Sequence, residues 1–248
     1  MIQIKSKDEI EVMRQAGRIV AETLAMVSDE LKPGMTTKQL DKLVEDFIRS
    51  KKAVPAFLNY HGFPASACIS VNEEVVHGIP GGRIIEEGDI VSVDVGSIFE
   101  GFYGDSARTY AVGEISDEKR KLMDNTEKSL LAGIDKARNG NKLGQISAAV
   151  QNVAESEGYG VVRQLVGHGI GRNMHEEPQV PNYGSPNEGP TLKTGMVIAI
   201  EPMINCGTYQ VKTLPDGWTI VTADGRPSAH FEHTVAITEN GPDILTVV

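Results

Sequence analysis

One motif occurs twice in this chain, and the repeat constrains the fold more than any other feature. Gly88-Asp89-Ile90-Val91-Ser92-Val93-Asp94 returns as Gly195-Met196-Val197-Ile198-Ala199-Ile200-Glu201, each a glycine, a short apolar run and a carboxylate six positions after the glycine. Upstream, His77-Gly78-Ile79-Pro80 returns as His168-Gly169-Ile170-Gly171. Downstream, Asp105-Ser106-Ala107 and Glu232-His233-Thr234 each open a further apolar stretch. An isolated aspartate after a strand is an ordinary turn or cap residue. Here the duplication gives each half-chain a histidine and two carboxylates. That inventory suits a two-metal hydrolase, in which cations about 3.5–4 Å apart activate water and clamp an oxyanion.

The order of elements repeats too. Ser6 ahead of Asp8 and Glu9 reads as a helix cap, followed by Ile10, Met13, Gly17, Val20, Leu24 and Val27 at helical spacing. Lys32-Pro33-Gly34 ends that helix. Thr36 or Thr37 can cap the next, whose face carries Leu40, Leu43, Val44 and Phe47. Cys68–Val71 and Asp89–Gly96 read as strands. In the second half Ser116 caps a helix through about Ala137. Asn139-Gly140-Asn141 breaks it, and a further helix carries Ile146, Val150, Val153 and Ala154. Strands follow at Val161–Arg163, Met196–Ile200 and Thr219–Thr222. Two copies of helix, helix, strands imply a pseudo-symmetric α+β domain rather than a solenoid. No low-complexity linker separates the halves, so the expectation is one domain, 1–248, with an internal repeat of approximately 1–113 and 114–248. The Pro178–Pro190 segment reads as an ordered loop.

Strand alternation puts Ile90, Ser92 and Asp94 on one face, and Val91, Val93 and Val95 on the other. In the copy, Val197, Ala199 and Glu201 share a face. Asp94 and Asp105 flank Phe99-Glu100-Gly101, a hairpin turn. A turn centred on Phe99-Glu100 makes the aspartates face directly; one centred on Glu100-Gly101 makes them diagonal. Either way they lie within roughly 5–8 Å, where two anions repel unless a cation sits between them. No register follows for Glu201 and Glu232, because the turn signals Asp216-Gly217 and Asp224-Gly225 imply an extra strand between them. His61, His230 and His233 have no counterpart in the repeat, and His233 reads as a structural partner of Glu232.

A net charge of −10 argues against phosphate-backbone binding, so no nucleic-acid substrate is expected. No run approaches the roughly 18 apolar residues of a membrane span. Met1-Ile2-Gln3-Ile4-Lys5 lacks the build of a secretory signal. The two cysteines, Cys68 and Cys206, form no CxxC pair and read as reduced thiols. A cytoplasmic location is expected, and no long heptad argues for assembly beyond a monomer.

Asp94 with Asp105, Gly167-His168-Gly169-Ile170-Gly171, Met196 through Pro202, and Phe231-Glu232-His233-Thr234 together resemble the metal-binding signature of the methionine aminopeptidases. Val71 through Pro80 and Asp216-Gly217-Trp218-Thr219 resemble the bacterial type I form in particular. The likeness runs over essentially the whole chain. It implies the pita-bread fold, two pseudo-symmetric halves around a central antiparallel sheet. It also implies two divalent metal ions, with cobalt, manganese, iron(II), zinc and nickel all compatible with such ligands.

By this resemblance Asp94, Asp105, His168, Glu201 and Glu232 are the metal ligands, Asp105 and Glu232 bridging both ions. His77 and His175 are active-site histidines that touch the substrate. Tyr60, Phe63, Cys68, Met174 and Trp218 line the pocket for the Met side chain. Asn72, Glu74 and Ser228 match a monovalent-cation site. Phe57 and Asn173-Met174 depart from the residues common in bacterial relatives, which bears on substrate preference. The implied reaction removes the initiator Met from nascent chains whose second residue is small, near the ribosome. A metal-bridged hydroxide attacks the Met carbonyl, and Glu201 shuttles the proton to the departing amine. The rivals are an Xaa-Pro peptidase of the same fold and a non-catalytic binding protein that reuses it.

Overall fold

The computed structural model describes residues 1–248. Helix α1 (Lys7–Glu30) starts at a capping box: the Ser6 hydroxyl accepts from Glu9 N–H, and the Glu9 carboxylate accepts from Ser6 N–H. Helix α2 (Thr37–Ser50) starts the same way, with Thr36 and Gln39 as the pair. Its buried stripe is Leu40, Val44 and Ile48, while Leu43 and Phe47, expected on that face, are half-buried. These helices cover one face of a sheet built from β1 (Val54–Pro55), β2 (Ala67–Val71), β4 (Ile90–Phe99) and β5 (Phe102–Ala111). Strand β3 (Glu74–Val76) leaves that sheet. Val91, Val93 and Val95 pack with Val20, Leu24, Val44 and Ile48. The opposite strand face, with Ser92 and Asp94, is thereby left for the site. Helix α1 approaches β5 so closely that a Cβ on Gly104 would lie 2.6 Å from Gly17 N.

The second half repeats this plan. Helix α3 (Asp117–Lys136) is capped by Ser116, and α4 (Leu143–Ser156) follows the Asn139–Asn141 break. Ten strands follow: β6 (Gly160–Val161), β7 (Gly167–Gly169), β8 (Glu176–Val180), β9 (Val197–Ile200), β10 (Met203–Asn205), β11 (Val211–Thr213), β12 (Ile220–Thr222), β13 (Ser228–His230), β14 (His233–Thr238) and β15 (Gly241–Ile244). The order β15-β14-β9-β7-β8 makes an antiparallel sheet under α3 and α4. Ile198, Ile200, Val235 and Ile237 pack there with Leu130, Ile134 and Ile146. Each fully buried Ile or Leu contributes about 1.5–3 kcal/mol, so the paired cores hold the two helix–sheet layers firmly. The Pro178–Pro190 segment is a loop only after Val180, because its first residues complete β8.

Two sets of contacts join the halves. Strand β3 pairs with β12. Along the middle, β5 lies beside β13 and β14: Glu232 N–H donates to Ala107 O at 2.9 Å, and Thr109 Oγ1 donates to His230 O at 2.8 Å.

Candidate metal centre and substrate cavity

The β4–β5 hairpin turns at Glu100-Gly101, both at positive φ (48° and 80°), the geometry that suits the right-handed strand twist. Phe99 therefore faces Phe102, Asp94 faces Ala107, and Asp105 faces Gly96. The two aspartates are diagonal neighbours on one face, the second of the two arrangements open from sequence. In the other half Ile200 faces His233, so Glu201 and Glu232 are the next positions beyond the β9–β14 ladder. That register was hidden because β10 to β13 form an excursion between the two strands.

His168 reaches the site from β7, facing Ala199, two residues before Glu201. The residue facing Ser92, two before Asp94, is Ser70. Strand register thus makes Ser70, not His77, the counterpart of His168, which corrects the equivalence suggested by sequence. His77 follows β3 in a left-handed conformation (φ 59°), its ring 6.3 Å from that of Trp218. His233 also departs from expectation. Its Nδ1 pairs with Thr246 Oγ1 at 2.8 Å, because adjacent residues of a strand point to opposite faces.

Asp105, His168 and Glu232 bring ligand atoms within 4.8 Å of one another. His168 Nε2 lies 3.5 Å from Glu201 Oε1 and 3.9 Å from Asp105 Oδ2. His168 Nδ1 is 2.9 Å from Gly169 O. A carbonyl can only accept, so Nδ1 carries the proton and Nε2 offers its lone pair to the carboxylates. Burial holds this imidazole neutral, its pKa pushed down to about 4. Burial pushes Asp94 up to about 7, and Asp105, Glu201 and Glu232 well above the usual carboxylate range. Asp94 Oδ1, Asp105 Oδ1 and Glu232 Oε1 are buried without a hydrogen-bond partner. Buried carboxylates left unpaired this way are costly, and divalent cations satisfy them. The donor set fits such ions.

Sequence reasoning missed His230. It is buried, its Nε2 lies 3.9 Å from Glu201 Oε2, and that nitrogen has no hydrogen-bond partner. Its place two residues before Glu232 was the available signal.

The carboxylates form one end of a cavity of about 200 Å³. Tyr60, Phe63, Cys68, Met174 and Trp218 all line it, and so do His77 and His175. Phe63 meets Trp218 edge to face at 5.2 Å, and Cys68 stands opposite Asp94 across the β2–β4 ladder. Burial pushes the Cys68 thiol well up. His175 Nδ1 is 2.7 Å from the Tyr60 hydroxyl, and its ring lies 4.3 Å from that of His168. Phe57 and His61 complete the lining. Asn72 and Ser228 meet through an N–H···O bond of 2.9 Å, and the Lys119 ammonium lies 2.8 Å from Asn72 Oδ1. A larger cavity, of about 310 Å³ between α1 and α3, has Glu127 as its one carboxylate and offers no comparable cluster.

No helix is long and apolar enough to cross a membrane. Residues 11–239 match metallopeptidase family M24. A methionine aminopeptidase of Clostridium acetobutylicum is 58% identical over 248 residues, 100% of this chain and 99% of that protein. Methionine aminopeptidase 1 of Bacillus subtilis is 54% identical over the full length of both chains. The crystal structure of methionine aminopeptidase from Rickettsia prowazekii superposes with a TM-score of 0.98 at 45% identity, covering 100% of each chain. These likenesses make the α+β architecture the pita-bread fold. The chain belongs to metallopeptidase family M24 and, within it, to the methionine aminopeptidase family.

Proposed function

We propose that this protein is a metal-dependent aminopeptidase that removes Met from the N-terminus of peptides and nascent chains whose second residue is small. One observation carries the reading. Asp94, Asp105, His168, Glu201 and Glu232 converge at one end of a cavity whose other walls include Phe63, Met174 and Trp218. A cation-binding, carbonyl-activating end thus adjoins an apolar end of the size and softness a thioether needs.

In this reading those five residues would hold two divalent cations. Bound divalent cations polarise a carbonyl and bring the pKa of water to about 7. Glu201 takes the proton from water and delivers it to the departing amine. In the tautomer in which the Tyr60 hydroxyl donates to His175 Nδ1, the Nε2 proton of His175 is left for the scissile carbonyl oxygen. His77, which lines the same cavity, contacts the peptide. Cys68, Tyr60, Phe63, Met174 and Trp218 bury the Met side chain. The expected monovalent cation near Asn72, Glu74 and Ser228 is supported by the resemblance alone.

The reading includes work in the cytoplasm, near the ribosome, as a monomer and as a single catalytic domain. Two buried free thiols, Cys68 and Cys206, support a reducing compartment.

The test is Met release from Met-Ala-Ser by the metal-stripped protein, with Mn(II), Fe(II), Co(II), Ni(II) or Zn(II) restored singly. Release that returns with metal and is absent for the N-acetylated peptide is expected. Cleavage of Xaa-Pro dipeptides instead, or no release from folded protein under any cation, would overturn the reading.

A further inference from the structure

Lys5 is buried, although it lies ahead of the first helix. Its ammonium is 2.6 Å from Glu176 Oε2, and both side chains are less than a tenth exposed. The other Glu176 oxygen accepts from Asn173 N–H at 3.2 Å. Lys5 N–H donates to Gly195 O at 2.8 Å, which ties the segment to the turn before β9. Two glycines of the repeated motifs make room for it. A Cβ on Gly171 would lie 2.5 Å from Lys5 Cε, and one on Gly195 would lie 2.6 Å from Ile4 Cγ2. A lysine and a glutamate taken out of water together are costly unless they meet closely and have their remaining polar atoms satisfied. This pair meets closely and both carboxylate oxygens have a donor, so each end is held by the other. Between Gly171 and Glu176 lie Met174 and His175, which line the cavity, and Glu176 directly follows His175.

We propose that Lys5 is a positioning residue: its buried ion pair with Glu176 sets where Met174 and His175 stand in the cavity. A residue that touches neither the cavity nor the carboxylate cluster thereby governs turnover. The kinetic half of the proposal rests on the functional reading above, and the geometric half does not.

The test uses Lys5→Met and Glu176→Gln, each alone and combined with His175→Ala. Four quantities are measured: metal content, kcat and KM for Met-Ala-Ser, and the His175 ring resonance in the NMR spectrum of the metal-free protein. That resonance is assigned among the six histidines by its loss in His175→Ala. Lys5→Met is expected to bind metal as the wild type does and to lose at least about 10-fold in kcat, because sub-ångström misplacement near the reacting atoms is costly. In the His175→Ala background the same change should cost less than roughly 2-fold, the sign of two residues acting through one function. The His175 resonance should shift. Glu176→Gln keeps the side-chain shape and should act in the same direction, so it serves if Lys5→Met does not fold. A lowered Tm with unchanged kcat, KM and resonance would reduce the pair to a structural support and overturn the proposal. So would an equal loss with and without His175. If the wild type releases no Met, the functional reading fails separately and the resonance alone decides.

Discussion

Thr234 donates its hydroxyl to the main-chain carbonyl of Asp105 at 2.7 Å, and Asp105 N–H donates back to the same oxygen at 3.2 Å. One fully buried side chain on β14 thus satisfies both backbone groups of a carboxylate residue on β5. This bond pair belongs to the seam between the halves along β5 and β14, and it holds one of the candidate metal ligands. Thr234→Val keeps the volume and removes both bonds, leaving a buried N–H and C=O unpaired. The expected cost is about 1–3 kcal/mol of stability and roughly 10–100-fold in metal affinity, because Asp105 loses its seat. Urea denaturation and a calorimetric metal titration check this; unchanged metal affinity would mean that the seam does not orient Asp105.

In the metal-free protein the buried carboxylates should contribute a stability that falls as pH rises. Asp94 ionises near 7 in the folded chain against an ordinary 3.8, because it is buried, and Asp105, Glu201 and Glu232 are shifted upward as well. Between the ordinary and the raised pKa the folded state holds protons that the unfolded state has released. These carboxylates therefore contribute a stability that falls as pH rises across that window, from about 4 to about 7, while His168, His230 and His233, held by burial below their ordinary 6.5, contribute one that rises with pH up to about 6.5. Divalent cations bind the ionised carboxylates of the folded state, so saturating metal should remove or reverse the slope. Urea midpoints of the wild type and Asp94→Asn at pH 5 and pH 7, with chelator and with metal, decide it. The histidines are common to both proteins, so the same pH dependence in chelator for both would contradict the buried-carboxylate account.

How much of this was legible beforehand depends on the range of the interaction. Ser6 with Glu9, Thr36 with Gln39, and Ser116 are local caps, and each sits where three or four consecutive residues announced it. The faces of β4 were legible because Val91, Val93 and Val95 alternate with Ser92 and Asp94. The five carboxylate and histidine positions stood out through duplication and resemblance. Pairing between distant segments was not legible. His77 and His168 match in sequence, yet only strand register reveals that Ser70 holds the place equivalent to His168. His230 was set aside for the same reason: its closeness to Glu201 depends on the β10–β13 pairing. The Lys5–Glu176 pair spans 171 residues and leaves no local trace.

Trp218 is the one tryptophan of the chain, and it lines the cavity. Its fluorescence should report directly on the side-chain pocket. Free L-methionine is expected to change the emission saturably, with norleucine, which keeps the shape and lacks the sulfur, weaker. Replacing Trp218 by Ala removes apolar contact worth about 1.5–3 kcal/mol. The expected loss in kcat/KM for Met-Ala-Ser is therefore roughly 10–100-fold. A Trp218→Ala enzyme with unchanged kcat/KM would move the pocket elsewhere.

Glu201 sits between two imidazoles, 3.5 Å from His168 Nε2 by one oxygen and 3.9 Å from His230 Nε2 by the other. Its two oxygens thus face different neighbours, which suits a group that both binds and moves a proton. Glu201→Gln keeps the shape and one acceptor oxygen but cannot take up the proton. If Glu201 is the shuttle, kcat should fall by about 10²–10⁴ while KM changes little. Part of any loss can come from weakened metal binding, so metal content is measured on the same samples. A Gln variant that retains its metal and turns over near the wild-type rate would assign the proton transfer to another group, and His230 would be the next residue to replace.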